Sequence, residues 1–193
     1  MTTTTAGAPA RTATDTSWLR LAQVSIAVVI VALVVFAYVG TFLTTISEGD
    51  FKYTADYFYT GVGLPISLGG IGLTLSVHRL QHGRDGRLGT IGFWLGAVAM
   101  TELFAQLGAS VVTSAEVRWG PSYVVATLLA FVGIALLAAG SWRAGLLPRW
   151  MLGVWPVVWI IGSFGAVGPT PVLLVAFLVV LGMTLTRRVH AGG

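Results

Sequence analysis

MLGVWPVVWIIGSFGAVGPTPVLLVAFLVVLGMTLT, residues 151–186, carries no formal charge. As one helix at about 1.5 Å per residue it would exceed ~50 Å, against a bilayer hydrocarbon core of about 30 Å. It must fold back on itself. The break falls at GAVGPTP, Gly165 to Pro171, where Pro169 and Pro171 cannot continue a helix. Two spans result, about 150–166 and 170–186.

Four further apolar stretches precede this block. They run over about 18–45, 57–77, 89–113 and 121–141. The first has an Ile/Val/Leu core (VSIAVVIVALVVFAYVG), and the second is rich in Gly, with Pro65 inside it. Residues 1–17 form a Thr/Ala-rich tail without apolar periodicity and are expected to be disordered. The apolar stretch that follows is too long for a signal-peptide core. Residues 189–193 are a short C-terminal tail. The fold class expected is therefore all-α: a polytopic membrane bundle of six transmembrane helices over 18–188.

Composition agrees. Hydrophobic residues make up 55% and charged residues 9% of the 193-residue chain, and the mean hydropathy is +0.86. A soluble domain carries about 25% charged residues. So little charge cannot cover a water-exposed surface, and lipid is the expected surroundings.

The loop charges alternate along the chain. One set of ends holds Arg11, Arg20, Arg79, Arg84, Arg87, Arg143, Arg149, Arg187 and Arg188 with Asp15 and Asp85, net +7. The other holds Glu48, Asp50, Asp56 and Glu116 with Lys52 and Arg118, net −2. The positive-inside rule puts both termini in the cytoplasm, which requires an even number of spans. The localisation expected is the bacterial cytoplasmic membrane. The Arg residues sit at span ends rather than on one amphipathic face, so they read as topology signals and no nucleic-acid partner is expected. Trp18, Trp142 and Trp150 fall at the basic interface. Phe51, Tyr53, Tyr57, Phe58, Tyr59, Trp119 and Tyr123 fall at the acidic one, as an aromatic belt requires. A ligand cage of Tyr53, Tyr57 and Tyr59 is the less favoured alternative.

Few residues could carry chemistry. There is no cysteine, so disulfides, a CxxC pair and a Cys-based zinc site are excluded. No P-loop occurs. His78 and His82 lie four apart in HRLQH at a span end, without the E-x-x of a metalloprotease, and read as interface histidines. No span contains a His to hold haem, and neither a metal nor a cofactor is expected.

Glu102 stands out. It lies midway along the third span, where a carboxylate costs about 2.5–3.5 kcal/mol on insertion scales. That cost falls if the group is protonated or hydrogen-bonded inside the bundle. Ala99, Glu102, Gln106, Ala109 and Thr113 share one helical stripe, and Gln106 is the nearest polar neighbour. Glu102 and Gln106 therefore form the candidate intramembrane polar site. Ser67, Thr74, Trp159 and Ser163 are further candidate hydrogen-bond partners. Gly92-x-x-x-Gly96, and Gly61, Pro65 and Gly69, are small-residue ridges for close helix contact. The alternative for the second span is a break at Gly63-Leu64-Pro65 that lines a cavity.

GLLPRW (Gly145 to Trp150) before an apolar span, with TELF around Glu102, resembles small multipass membrane proteins of actinobacteria described only as uncharacterised. The resemblance covers mainly the fourth to sixth spans and implies no activity. The size and span count also look like the substrate-binding subunits of energy-coupling vitamin transporters. The A-x-x-x-A coupling ridge expected in the first span is absent, however. The first-ranked expectation is an accessory or scaffolding component, with the bilayer and other membrane subunits as partners. A small solute-binding or transport component using a buried acid ranks second. A membrane enzyme on a lipid-soluble substrate ranks third.

Overall fold

The computed structural model describes residues 13–43, 45–47, 49–117, 120–163 and 170–191. Six helices fill them: α1 Ala13–Gly40, α2 Thr54–Leu80, α3 Gly86–Thr113, α4 Ser122–Ala144, α5 Arg149–Ser163 and α6 Thr170–Ala191. The protein is all-helical, as its apolar segments require.

Helices α1 to α4 and α6 are long and apolar enough to cross a membrane. Among the described residues the fifth is 15 residues long, about 22 Å. The rest of the expected fifth span and the GAVGP turn lie outside the described residues. Pro171 is the second residue of α6, where a missing N–H leaves no intrahelical bond unmade.

The other boundaries shift by a few residues. The first helix starts at Ala13, so residues 13–17 are not part of a disordered tail; Asp15 in its first turn suits the positive end of a helix dipole. It ends at Gly40 rather than Thr45. There the Tyr59 hydroxyl donates to the carbonyls of Gly40 (3.0 Å) and Leu43 (2.8 Å), which the helix leaves unpaired. The sixth helix continues to Ala191, with Arg188 and His190 in its last turn at the negative dipole end. Residues 189–191 are therefore helical too.

Each helix packs against its neighbours in sequence, and α6 returns to α1, so the six close a ring. The centre is filled by large side chains. Trp155, Trp159, Met100, Met151, Leu73 and Leu178 are all fully buried. The outside carries exposed Val24, Val31, Trp94, Val98, Val124 and Leu173, a surface suited to lipid rather than water.

Glycines set the closest approaches. A Cβ on Gly92 would lie 2.3 Å from the Leu137 backbone nitrogen, and one on Gly133 2.4 Å from the Gly96 nitrogen. The expected Gly92-x-x-x-Gly96 ridge is thus the α3–α4 seam. In α2, Gly69 faces Val29 of α1, and Gly70 makes room for Met100 and Trp159. Gly61 has no neighbour within 4 Å of a built Cβ and belongs to no contact ridge. The alternative of a break at Gly63-Leu64-Pro65 is not realised. The second helix is continuous through Pro65, and Ser67 Oγ donates to the Gly63 carbonyl (2.9 Å).

Candidate functional site

The buried stripe of α3 runs through Gly92, Gly96, Ala99, Leu103, Gln106 and Ser110. The glycines fix its phase, because they must face α4. Glu102 is therefore on the shoulder of the stripe. By helical geometry it lies about 40° from buried Gln106 and about 40° from exposed Val98. It is partly exposed, Ala109 is partly exposed and Thr113 is exposed. The expected line from Ala99 to Thr113 is thus rotated off the core.

Glu102 and Gln106 do meet. Gln106 Nε2 donates to Glu102 Oε1 at 3.0 Å. The other expected partners bond elsewhere. Ser67 donates to Gly63, Thr74 to the Gly70 and Ile71 carbonyls, and Ser163 to the Trp159 carbonyl. Each satisfies its own helix backbone rather than reaching across the ring.

Gln106 itself is only 2% exposed. Its Oε1 has no hydrogen-bond partner among the described residues. It lines an open groove of about 540 Å³ at the acidic end of the ring, with Thr60, Leu107, Ser110, Val117 and Tyr123. Ser110 Oγ donates to the Gln106 backbone carbonyl (2.9 Å) and accepts the Val117 N–H (3.0 Å), so the groove wall is tied to α3.

The rim is built from two loops. Phe51 N donates to the Ser114 carbonyl (2.8 Å), Glu116 N donates to the Gly49 carbonyl (3.0 Å), and Asp50 bridges Ala115. Asp56 in the first turn of α2 anchors the first loop. Its carboxyl accepts the N–H groups of Ser47 (2.8 Å), Lys52 (2.9 Å) and Tyr53 (2.9 Å), together with the Ser47 hydroxyl. The Tyr53 bond is the return half of a capping box.

The three tyrosines considered as a cage diverge. Tyr53 and Tyr57 are exposed, and Tyr57 packs edge-on against Phe51 (5.1 Å). Only Tyr59 turns inward, where it packs edge-on against Phe36 (5.5 Å).

The basic end holds a second polar cluster. His78 Nδ1 lies 2.5 Å from Asp85 Oδ2, and the ring stacks on Phe93. Gln81 Nε2 donates to Ser141 Oγ (2.7 Å), which donates to the Leu137 carbonyl (2.6 Å). Three helices, α2, α3 and α4, are pinned there. His82 lies beyond the end of α2 with φ +51° and pairs with Asp15 across 3.1 Å. The two histidines thus take different carboxylates and do not converge. Asp85, seven residues after His78, was the sequence signal for this cluster. Nothing in spacing alone showed that Gln81 and Ser141 would meet.

At the same end Arg79 stands over Trp18 and Arg149 over Trp142, each 5.8 Å from the ring. Such pairs suit an interface where cation and indole meet.

No family model matches the chain, and no curated protein or solved structure does.

Proposed function

We propose that the chain is an accessory or scaffolding component of the bacterial cytoplasmic membrane. It spans the bilayer repeatedly with both termini in the cytoplasm. The observation that carries the reading is Glu102. Its carboxyl stands at the edge of the outward face of α3, between exposed Val98 (63%) and buried Gln106, and accepts a hydrogen bond from Gln106. A carboxyl so placed in hydrocarbon costs about 2.5–3.5 kcal/mol. A transmembrane helix of another subunit, presenting a hydrogen-bond donor at the same depth, lowers that cost and gains specificity. The exposed ridge of Ile91, Trp94 and Val98 continues the docking face.

Glu102→Leu separates assembly from folding. It removes the cost of a carboxyl in hydrocarbon and leaves the Gln106 amide unpaired, a loss of about 1–3 kcal/mol. The two effects nearly cancel, so the isolated chain should unfold within a few degrees of wild type. Association should fail. Native mass spectrometry of gently extracted complexes should show a second subunit on the wild type and a lone chain for Glu102→Leu. A wild type that emerges alone would defeat the accessory reading.

The orientation rests on the charge split and is tested separately. The protein has no cysteine, so a single introduced thiol is a clean reporter. Gly86, Gly120 and Gly145 have positive φ, which strains a side chain, so exposed Asp50 and Arg84 are better sites. Asp50→Cys should react with an impermeant thiol reagent in whole cells, and Arg84→Cys only after lysis. Labelling of Arg84→Cys in intact cells would reverse the topology.

A second reading, a small solute-binding component, is favoured by the groove beside Gln106.

A further inference from the structure

We propose that the subunit docked at Glu102 is a second copy of this chain, paired along α3 about a two-fold axis normal to the membrane. The proposal rests on the accessory reading and names the partner that reading requires.

The demand at Glu102 is for a hydrogen-bond donor in hydrocarbon at one depth. Glu102 is the one acid at the middle of a span, and no span holds a Lys or Arg at its middle. Gln106 donates to Oε1 from the buried side, and the carboxyl stays partly exposed on the shoulder of α3. A foreign helix must place a donor at this depth by its own sequence. A second copy does so by symmetry. Copies of one chain insert in one orientation, so a two-fold axis along the membrane normal sets each residue opposite itself at equal depth. Two carboxyls that share a proton form a donor–acceptor pair and escape the repulsion of two bare charges. One contact then relieves two carboxyls of hydrocarbon, where a foreign donor relieves one.

The outward face of α3 fits such a contact. Ile91, Val98, Ala105 and Val112 recur every seven residues, and all four are exposed. That repeat keeps two helices in contact when they cross at about 20°. From Ile91 to Val112 the seam is about 30 Å long, the thickness of the hydrocarbon core. Beside Glu102 it is narrow: Thr101 and Ala105 are exposed there, and Ala109 is partly exposed. Small residues let helix axes approach to about 8 Å, close enough for two Glu side chains to meet. At its basic end the seam reaches exposed Arg87, whose long side chain can turn to the headgroups and away from its copy.

The test uses the full chain in lipid vesicles. Donor and acceptor dyes are carried on Arg84→Cys, an exposed position beside the start of α3. Energy transfer between copies should persist on dilution with lipid. Glu102→Gln, whose amide both donates and accepts, should pair like the wild type. Glu102→Leu should weaken pairing about tenfold, the worth of interhelical hydrogen bonds in a membrane. Ala105→Trp should weaken it as much, because it holds the helices apart from a position outside the chain's own core. Oxidation in native membranes adds the geometry. Val98→Cys and Ala105→Cys should each form a disulfide with a second copy, and Val179→Cys, exposed on α6 across the ring, should not. Wild-type pairing in both Glu102→Leu and Ala105→Trp would overturn the proposal. So would cross-linking at Val179→Cys in place of the α3 positions. Copies that do not pair while a different subunit is extracted with the wild type would overturn it too and leave the accessory reading standing. Copies that neither pair nor bring another subunit would sink both. Should Glu102→Leu not fold, Ala105→Trp and the cross-links decide.

Discussion

Gly133→Val should abolish the native bundle. The first carbon of any side chain at this position would lie 2.4 Å from the Gly96 nitrogen, 2.6 Å from the Gly96 Cα and 2.9 Å from the Gly92 carbonyl oxygen. All three are backbone atoms, so no rotamer change on the far side relieves the overlap. The helices must separate, and α3–α4 is the most extensive pairing in the ring. Overpacking a core costs about 1–3 kcal/mol where side chains can shift, and a loss above ~3 kcal/mol is expected where they cannot. Gly61→Ala is the matched control. It has no neighbour within 4 Å and should gain about 0.5–1 kcal/mol from helix propensity. Thermal unfolding and size-exclusion profiles in detergent would read both. A monodisperse Gly133→Val with the wild-type Tm would mean that α3 and α4 do not meet along this seam.

The same glycines explain what the sequence could and could not disclose. Apolar runs separated by charged loops, with the proline break in the uncharged last block, are enough to find six helices, because burial of backbone polar groups in hydrocarbon leaves few other options. They are not enough to phase a helix. Apart from Gln106, the residues near Glu102 are apolar or small, so the periodic pattern alone allowed the stripe from Ala99 to Thr113. Which side of α3 is buried depends on where Gly89, Gly92 and Gly96 meet Gly133 and Gly140, a fact about a second helix. The resulting rotation moves Glu102 from the core to its shoulder. It also places Gln106, the lesser candidate in the sequence, at the buried end of the pair.

Loops were harder still. Asp56 read as one more acidic topology charge, and its hydrogen bonds reach back as far as Ser47, across residues with no regular pattern. His78 and Asp85 were both visible in HRLQHGRD, but their pairing required the tight α2–α3 turn to bring them to 2.5 Å. The fifth segment was found from its apolar content and the proline break after it; its described helix is Arg149–Ser163, with Pro156 inside.

Asp56→Ala should be the second most damaging change, and it links the fold to the groove. The substitution removes one carboxyl that serves three backbone N–H groups and the Ser47 hydroxyl. A methyl group can accept none of these bonds. Water can replace some, because Lys52 and Tyr53 are exposed, but Ser47 is partly buried. The expected fall in Tm is on the order of 5–10 °C. Asp56→Asn should recover less than half, since one of its two acceptor oxygens becomes an NH₂ group aimed at N–H donors. The damage should also be directional. The loop that Asp56 anchors holds Glu116 through the Gly49 carbonyl and Ser114 through the Phe51 N–H. With the anchor gone, proteolysis should open residues 45–53 first. An Asp56→Ala protein that melts with the wild type and resists protease at this loop would show that the rim holds itself without the carboxyl.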